Sequence, residues 1–445
     1  MTKGILSTVL SFFIWGSGQF FICKQKIKGL ILFSIQIAVI GIEFFSGYWP
    51  EYLAGMIDNF SIRVYGGFFT KGLWGLVTLG EYPGAGNDHS TVLMLNGIIT
   101  CLVILFILVI YIANVIDAYK SAKRYSDTGV RESSKEFAIR IYHNAFPYIF
   151  VIPAIIFVVF IVIMPIIFSV LTAFTNYNRN HMPPGNLIDW VGIDNFKNLF
   201  SSPIWSETFF GVFTWTLIWA ILATVTTYIL GMFQAILLNS DFVKFKSVYR
   251  GIMILPWAIP QMISLMVFKN LLNGQFGPIS KLLVDLGITE DRLPFLSDPF
   301  MARVTIILVN LWLGFPMFMI MIQGVLANIN QELYEAASID GATVWHKFRM
   351  ITFPLVFKAT SPLVVMSFAS NFNGFGSVFF LTEGGPANAE YNFAGNTDIL
   401  ISWIYSLTLD HKMYNMAAVM CILLFVLIGG ISIWNFRRTS AFKEV

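Results

Sequence analysis

From Pro147 to Val170 the chain reads PYIFVIPAIIFVVFIVIMPIIFSV, without one charged side chain. A helix needs about 20 apolar residues to cross the hydrocarbon of a bilayer, and this run exceeds that. It is apolar on every side and shows no alternation of period two, so no face is kept for water. Backbone polar groups in lipid must pair internally, and a barrel strand would need about ten alternating residues. A membrane-crossing helix is the remaining solution.

The rest of the chain repeats the pattern. Candidate spans lie at 4–22, 28–46, 91–113, 147–170, 208–238, 251–268, 304–326, 359–381 and 414–435. Of the 445 residues, 56% are hydrophobic and 12% charged, with a mean hydropathy of +0.72. Soluble domains carry about 25% charge, so the class is an all-α polytopic membrane protein. A net charge of +3 argues against a nucleic-acid binder. Cys23, Cys101 and Cys421 form no CxxC pair and no metal spacing. The run 4–22 has Lys3 before an apolar stretch but no small-residue cleavage site after it, so it reads as a retained helix, or as half of a short hairpin with 28–46.

Orientation follows from Lys and Arg in the connecting segments. Segments 23–28, 114–146, 239–250, 327–358 and the tail from Asn435 hold 18 of them, against 7 in 47–90, 171–207, 271–302 and 382–413. The first set, and with it the C-terminus, reads as cytoplasmic. Nine spans would put the N-terminus outside, although Lys3 points the other way. The expected organisation is N-terminal helices over 1–113, a basic cytoplasmic linker over 114–146, a six-helix core over 147–436 and a tail over 437–445.

Catalytic and ion-relay chemistry has little to stand on. Glu43 sits inside a candidate span near its outer end, and the six C-terminal spans contain no Asp, Glu, Lys, Arg or His. Proton carriers place such groups inside the membrane. There is no GxxxxGK[ST], HExxH or GxSxG sequence, and no metal site is expected. Active transport would need an energy source on another polypeptide.

The cytoplasmic segment 330–354 breaks the hydrophobic pattern. Asn330 is placed to cap a helix with Glu332 in its first turn. Leu333, Ala336 and Ala337 share a face, Gly341 permits a turn, a second short helix follows through Trp345 and Phe348, and Pro354 marks the start of the next span. The segment is too apolar to be merely solvated. Two readings fit: a knob seated in a partner's groove, or an amphipathic helix lying on the bilayer. The span 359–381 is polar at its middle. Ser367, Asn371 and Gly374 follow helical spacing along one face, with Ser370 and Asn373 beside them. Neutral donors and acceptors of this kind suit sugar hydroxyls; they also serve as helix-packing glue.

Glu335-Ala336-Ala337, then Gly341, then Ile351-Thr352-Phe353-Pro354 matches the EAA signature of ABC importer membrane subunits, with Phe353 where Leu is usual. Trp190-Val191-Gly192-Ile193-Asp194-Asn195-Phe196 and Thr382-Glu383-Gly384-Gly385-Pro386 resemble that family's outer loops. Asn310-Leu311-Trp312-Leu313-Gly314-Phe315-Pro316, Ser367-Phe368-Ala369-Ser370-Asn371-Phe372-Asn373 and Ala394-Gly395-Asn396-Thr397-Asp398-Ile399-Leu400 resemble the larger permease subunit of maltose and maltodextrin importers, the MalF-like type. The likeness covers about 147–436. It departs in lacking a large folded outer insertion, since 47–90 and 171–207 have only 44 and 37 residues.

The resemblance implies a type I ABC importer transmembrane domain, with six core helices and two or three leading ones. Such a chain is a transport subunit and not an enzyme. It needs no cofactor of its own, ATP and Mg being bound by partner ATPases. The implied partners are a second homologous permease subunit, two ATPase subunits and an extracellular sugar-binding protein, with an oligosaccharide as substrate. Coupling would fall to Glu335, Ala336, Ala337, Ile339 and Gly341. Sugar contact would fall to Asn310, Leu313, Gly314, Met317, Ser367, Ser370, Asn371 and Gly374. Met317 stands where the family has Tyr, Ser370 where it has Phe and Gly374 where it has Asn, so the sugar's identity stays open between maltodextrins and galacto-oligosaccharides or other oligosaccharides. An ion-coupled carrier and a membrane-embedded structural or assembly factor without a substrate are the other readings.

Overall fold

A computed structural model of the chain describes residues 3–54, 67–129, 133–240 and 242–438. Among them secondary structure is helical, and β pairing is limited to the isolated bridges Thr175–Trp190 and Ala387–Gly395. The chain divides into two compact units, Met1–Asn195 and Phe196–Val445. The tail beyond Arg438 lies outside the described residues.

The first unit corrects the expected first span. Gly16, at φ +76°, breaks the run 4–22 into an 11-residue helix, α1 (Lys3–Phe13), and a π-helical turn, Gly18–Ile22. Eleven residues rise about 16 Å, roughly half a crossing. The path is fixed by α2 (Lys26–Ala54), α3 (Phe68–Thr78) and α4 (Ser90–Thr128). Lys3 Nζ lies 5.3 Å from the Tyr125 ring centroid, and the Tyr111 hydroxyl donates to Phe12 O. After the turn, Cys23 Sγ returns to 4.0 Å from Ser7 Oγ, and Lys28 pairs with Asp117 at 2.5 Å. The segment therefore climbs α4, turns and comes back to the same end. Lys3 therefore lies toward the same end of α4 as the 23–28 segment, and 4–22 does not make the full crossing expected of it.

Polar groups hold this hairpin together. Ser11 Oγ donates to Gln19 Oε1 at 2.8 Å, Gln19 Nε2 donates to Asn114 O and Asp117 Oδ2 at 3.1 Å each, and Asn114 Nδ2 donates to Ser11 O at 3.0 Å. Gln19 and Asn114 are buried, where each unmade hydrogen bond would cost about 1–3 kcal/mol. The expected loop 47–90 holds α3, and Glu43 accounts for it. The carboxylate accepts from the N–H groups of Gly67 (3.1 Å), Phe69 (2.7 Å) and Thr70 (3.3 Å). An acid at a helix start neutralises unpaired donors and meets the positive end of the dipole. The expected linker 114–146 is also mostly helical: α4 runs on to Thr128, and α5 (Ser134–Phe157) starts at a Ser133–Glu136 capping box. A π segment, Val158–Ile163, carries α5 into α6 (Met164–Thr172), and α7 (Asp194–Ser201) lies at the boundary of the units.

The second unit contains α8 (Pro203–Asn239), α9 (Lys246–Ala258), α10 (Gln261–Leu271), α11 (Pro278–Asp285), α12 (Pro299–Ala327), α13 (Gln331–Ile339), α14 (Val344–Lys347), α15 (Phe353–Phe372), α16 (Phe375–Thr382), α17 (Leu400–Leu409) and α18 (Tyr414–Arg438). Among the described residues six helices are long and apolar enough to cross, and α9 with α10 makes a seventh, bent by 88°. The apolar part of α18, Tyr414–Gly430, falls at the short limit for a crossing. The core is α8 against α12. A Cβ on Gly231 would lie 2.6 Å from Phe318 Cβ, and one on Gly314 would lie 2.8 Å from Thr227 Cγ2. Small residues thus let the two backbones approach, as membrane helix packing requires. One apolar cluster centres on Trp219, Leu265, Ile306 and Val378, a second on Tyr228, Met319, Ile322 and Val356.

Two further spans differ from expectation in how they break. The run 251–268 is split at Ile259–Pro260, where Ile259 is extended (φ −89°, ψ +134°), as a residue before proline prefers. The run 359–381 ends at Phe372 and restarts at Phe375 with Gly374 as the N-cap. The expected separate helix through Trp345 and Phe348 is instead continuous, through a π segment Phe348–Thr352, with α15. The expected loop 382–413 contains α17, whose Trp403 is fully buried. The helices outrun their apolar windows, so Glu207, Lys269 and Arg303 fall within helical segments near their ends, and Lys358 falls at the middle of the stretch Val344–Phe372.

Candidate functional site

Non-helical backbone at membrane depth is tolerated where it is buried in protein or lines a water-filled cavity. The breaks at Ile259–Pro260 and at Asn373–Gly374 meet around one cavity of about 590 Å³, within the range typical of small-molecule sites. Its walls are Thr227 of α8, Pro256 to Gln261 across the bend, Asn310, Leu313, Gly314, Met317 and Phe318 of α12, and Ser367, Ser370, Asn371, Gly374, Gly376 and Ser377 of the broken α15–α16 pair. All eight residues expected at a sugar site line it. Gly374 does so from the break, not from a shared helical face with Ser367 and Asn371.

The polar groups are neutral and largely held in place. Asn371 Nδ2 donates to Thr224 Oγ1 at 3.0 Å, and the Trp219 indole donates to Asn371 O at 3.0 Å. This leaves Asn371 Oδ1 as the acceptor available to a ligand. Gln261 Nε2 donates to Ser377 Oγ at 3.1 Å, joining the starts of α10 and α16. No lining residue is charged. The cavity therefore offers hydroxyl, amide and aromatic surfaces and no counter-ion for an acidic ligand. Trp257, Gln261, Thr227 and Ser377 were not singled out in the sequence. The available signal was Pro260 inside an apolar run, a weak one because Pro256, Pro316 and Pro362 lie within helices without ending them.

The segment from Asn330 is the second candidate site. Asn330 Oδ1 accepts from Glu332 N at 3.0 Å, the cap its position called for. No residue of α13 is buried: Glu335 and Ala336 are exposed, Ala337 is half-buried and Ile339 is 87% exposed. Gly341 has φ +76°, and a Cβ there would meet nothing within 4 Å. Its need for glycine is conformational, not steric. Beyond it Val344 and Trp345 are exposed too. The result is a capped helix and turn with an uncovered apolar surface.

The loop 383–399 is anchored to α8 and α12. The Trp215 indole donates to Thr397 O at 3.1 Å, and Arg303 Nε donates to Asn396 O at 2.8 Å with its guanidinium 4.6 Å from the Trp215 ring centroid. Asp398 accepts from Gly395 N at 2.7 Å and from Ser402 Oγ at 2.6 Å. Burial pushes its carboxyl up to about 6, these two hydrogen bonds opposing the rise and Asp410 adding slightly to it. Among the described residues no three His, Cys, Asp or Glu side chains gather as metal ligands would.

Comparison with known proteins agrees with this geometry. Residues 227–439 match the family described as binding-protein-dependent transport system inner membrane component. The chain is 40% identical over 431 residues to the galactooligosaccharides transport system permease protein GanP of Bacillus subtilis, covering 96% of each. It is 40% identical over 385 residues to the maltodextrin transport system permease protein MdxF of the same organism, covering 84% of this chain and 87% of the relative. Among solved structures it resembles a chain of a bacterial ABC transporter involved in the import of the acidic polysaccharide alginate. There the TM-score is 0.55 at 25% identity, over 67% of this chain and 96% of that one.

Proposed function

Because the chain belongs to the sugar permeases among the binding-protein-dependent ABC transport components, a multi-pass membrane subunit with the type I importer fold, we propose that it forms the pathway for a neutral oligosaccharide of the maltodextrin type. The observation that carries this reading is the uncharged cavity between two helix breaks, lined by amides, hydroxyls and Trp257. An acidic polysaccharide would find no cation there. A pyranose ring would find an aromatic face in Trp257, which offsets the Met317 and Ser370 that replace aromatics of the MalF-like pattern. A galacto-oligosaccharide is the second reading. It is favoured by the relative matched over 96% of its length, and it presents the same chemistry to the cavity.

The remaining assignments follow from this reading. The core is 147–436 with the coupling segment at 330–354, and both termini are cytoplasmic. The assembly adds a second permease subunit, two ATPase subunits and an external sugar-binding protein. ATP and Mg are bound by the ATPases, and this chain holds no cofactor. The exposed helix α13 docks in an ATPase groove through Ala336, Ala337 and Ile339, with Glu335 facing a basic group there. ATP-driven closure moves the docked helix and the core spans switch access, a rigid-body transition between two states.

The test is ATP-dependent oligosaccharide uptake in vesicles carrying the complete transporter, beside a ligand screen on the binding protein. Glu335→Ala and Gly341→Asp are expected to lower uptake per ATP hydrolysed at least ten-fold with the permease still inserted. Wild-type coupling in both variants, or absence of a co-purifying P-loop ATPase, would refute the assignment. Binding of galactosides but not maltodextrins would select the second reading.

A further inference from the structure

An exposed helix can transmit force only if it is fixed to what it moves. Helix α13 is turned so that Tyr334 and Ser338, one helical turn apart, face the segment that follows it. The Tyr334 hydroxyl lies 3.0 Å from Thr352 Oγ1, and Lys347 Nζ donates to Ser338 Oγ at 2.5 Å. No residue of α13 is buried, and only Tyr334 and Ala337 are half-buried, so little apolar packing backs these two hydrogen bonds. Thr352 is 8% exposed and ends the π-helical segment Phe348–Thr352. A π-bulge inserts a residue into a helix and re-aims its side chains. Here it falls where the partner of Tyr334 is needed.

Beyond Thr352 the path stays helical, with Pro362 inside it. Helix α15 begins at Phe353, buries Val356 in the core, joins Tyr228 through Thr360 (2.9 Å) and reaches the cavity at Ser367 and Asn371. One continuous helical body therefore leads from the brace to the cavity wall.

We infer that Tyr334 and Thr352 are positioning residues for coupling: their hydrogen bond locks the exposed helix to α15, so that a displacement imposed on α13 becomes a displacement of the cavity wall. This rests on the importer reading above. With the bond missing, α13 would still dock, but part of its motion would be lost at Gly341, the flexible joint between the two helices.

The test uses the complete transporter in proteoliposomes, reading sugar uptake and ATP hydrolysis together. Tyr334→Phe and Thr352→Val remove one hydroxyl each at nearly constant volume. Each is expected to lower uptake per ATP about five-fold, the equivalent of about 1 kcal/mol, with ATPase recovery in the purified complex and the KM for ATP unchanged. The double variant is expected to match the singles, because one bond is lost in all three. Thr352→Ser keeps the hydroxyl and is expected to restore the ratio. Wild-type ratios in both single variants overturn the inference, as do effects that multiply in the double variant. If the unaltered complex shows no ATP-dependent uptake, the importer reading itself has failed. A coupled wild type with coupled variants removes the brace alone.

Discussion

Asp398→Asn isolates the electrostatics of the loop 383–399. The Asp398 carboxyl rises from 3.8 to about 6 on folding. Two units correspond to about 3 kcal/mol between the two protonation states. Because the folded value is the higher one, the stabilisation is complete below about pH 3.8 and is lost as pH rises through about 6. Integrated between pH 7.5 and pH 5, the gain is about 1.4 kcal/mol, a ten-fold change in local opening. Hydrogen exchange over 383–402, corrected for intrinsic rates, reads this directly. Protection in the wild type is expected to be about ten-fold higher at pH 5 than at pH 7.5, and Asp398→Asn to be flat. His411, stacked on Phe393, and Asp410 are present in both proteins, so the difference between them belongs to Asp398. Equal protection at the two pH values in the wild type, or the same slope in the variant, would refute the reasoning.

Two other perturbations test the remaining anchors. Lys28→Met leaves Asp117, 30% exposed, without its cation, and is expected to destabilise the first unit by about 3 kcal/mol, the low end for breaking a buried pair; Lys28→Met with Asp117→Leu is expected to recover most of that in a detergent thermal melt. Trp257→Ala removes the aromatic face at the bend and is expected to weaken sugar binding to the purified transporter about ten-fold, for roughly 1.5 kcal/mol, whereas Trp257→Phe is expected to retain most of it in the same titration.

What the sequence made legible and what it hid have one physical origin. Hydropathy windows register how many apolar residues stand in a row, so the crossings at α4, α8 and α12 were evident. They do not register where a helix stops, because Pro260 and Gly374 barely change a window's average while ending the hydrogen-bond ladder. The capped helix and turn from Asn330 to Gly341 were readable for the opposite reason. Asn330, Gly341 and the Glu335-Ala336-Ala337 run are local signals, whose meaning depends on neighbours within a few residues. Glu43 shows the limit of such locality. A carboxylate inside an apolar run has no evident role until α3 supplies the N–H donors it caps, more than 20 residues later. The cavity combines both cases. Asn310 stands out through its likeness to a known pattern and Ser367 and Asn371 also as polar residues on one helical face, whereas Trp257 and Gln261 flank a bend of 88° that no window registers. A helix that continued straight through Ile259 would also set these two residues, four apart, on one face, but Ala258, Ile259 and Pro260 would then turn to other faces, whereas here all three line the cavity with them. The bend instead places these consecutive residues on the wall of one space, so the cavity is built where the helical pattern fails, and a reading that follows only the pattern passes over it.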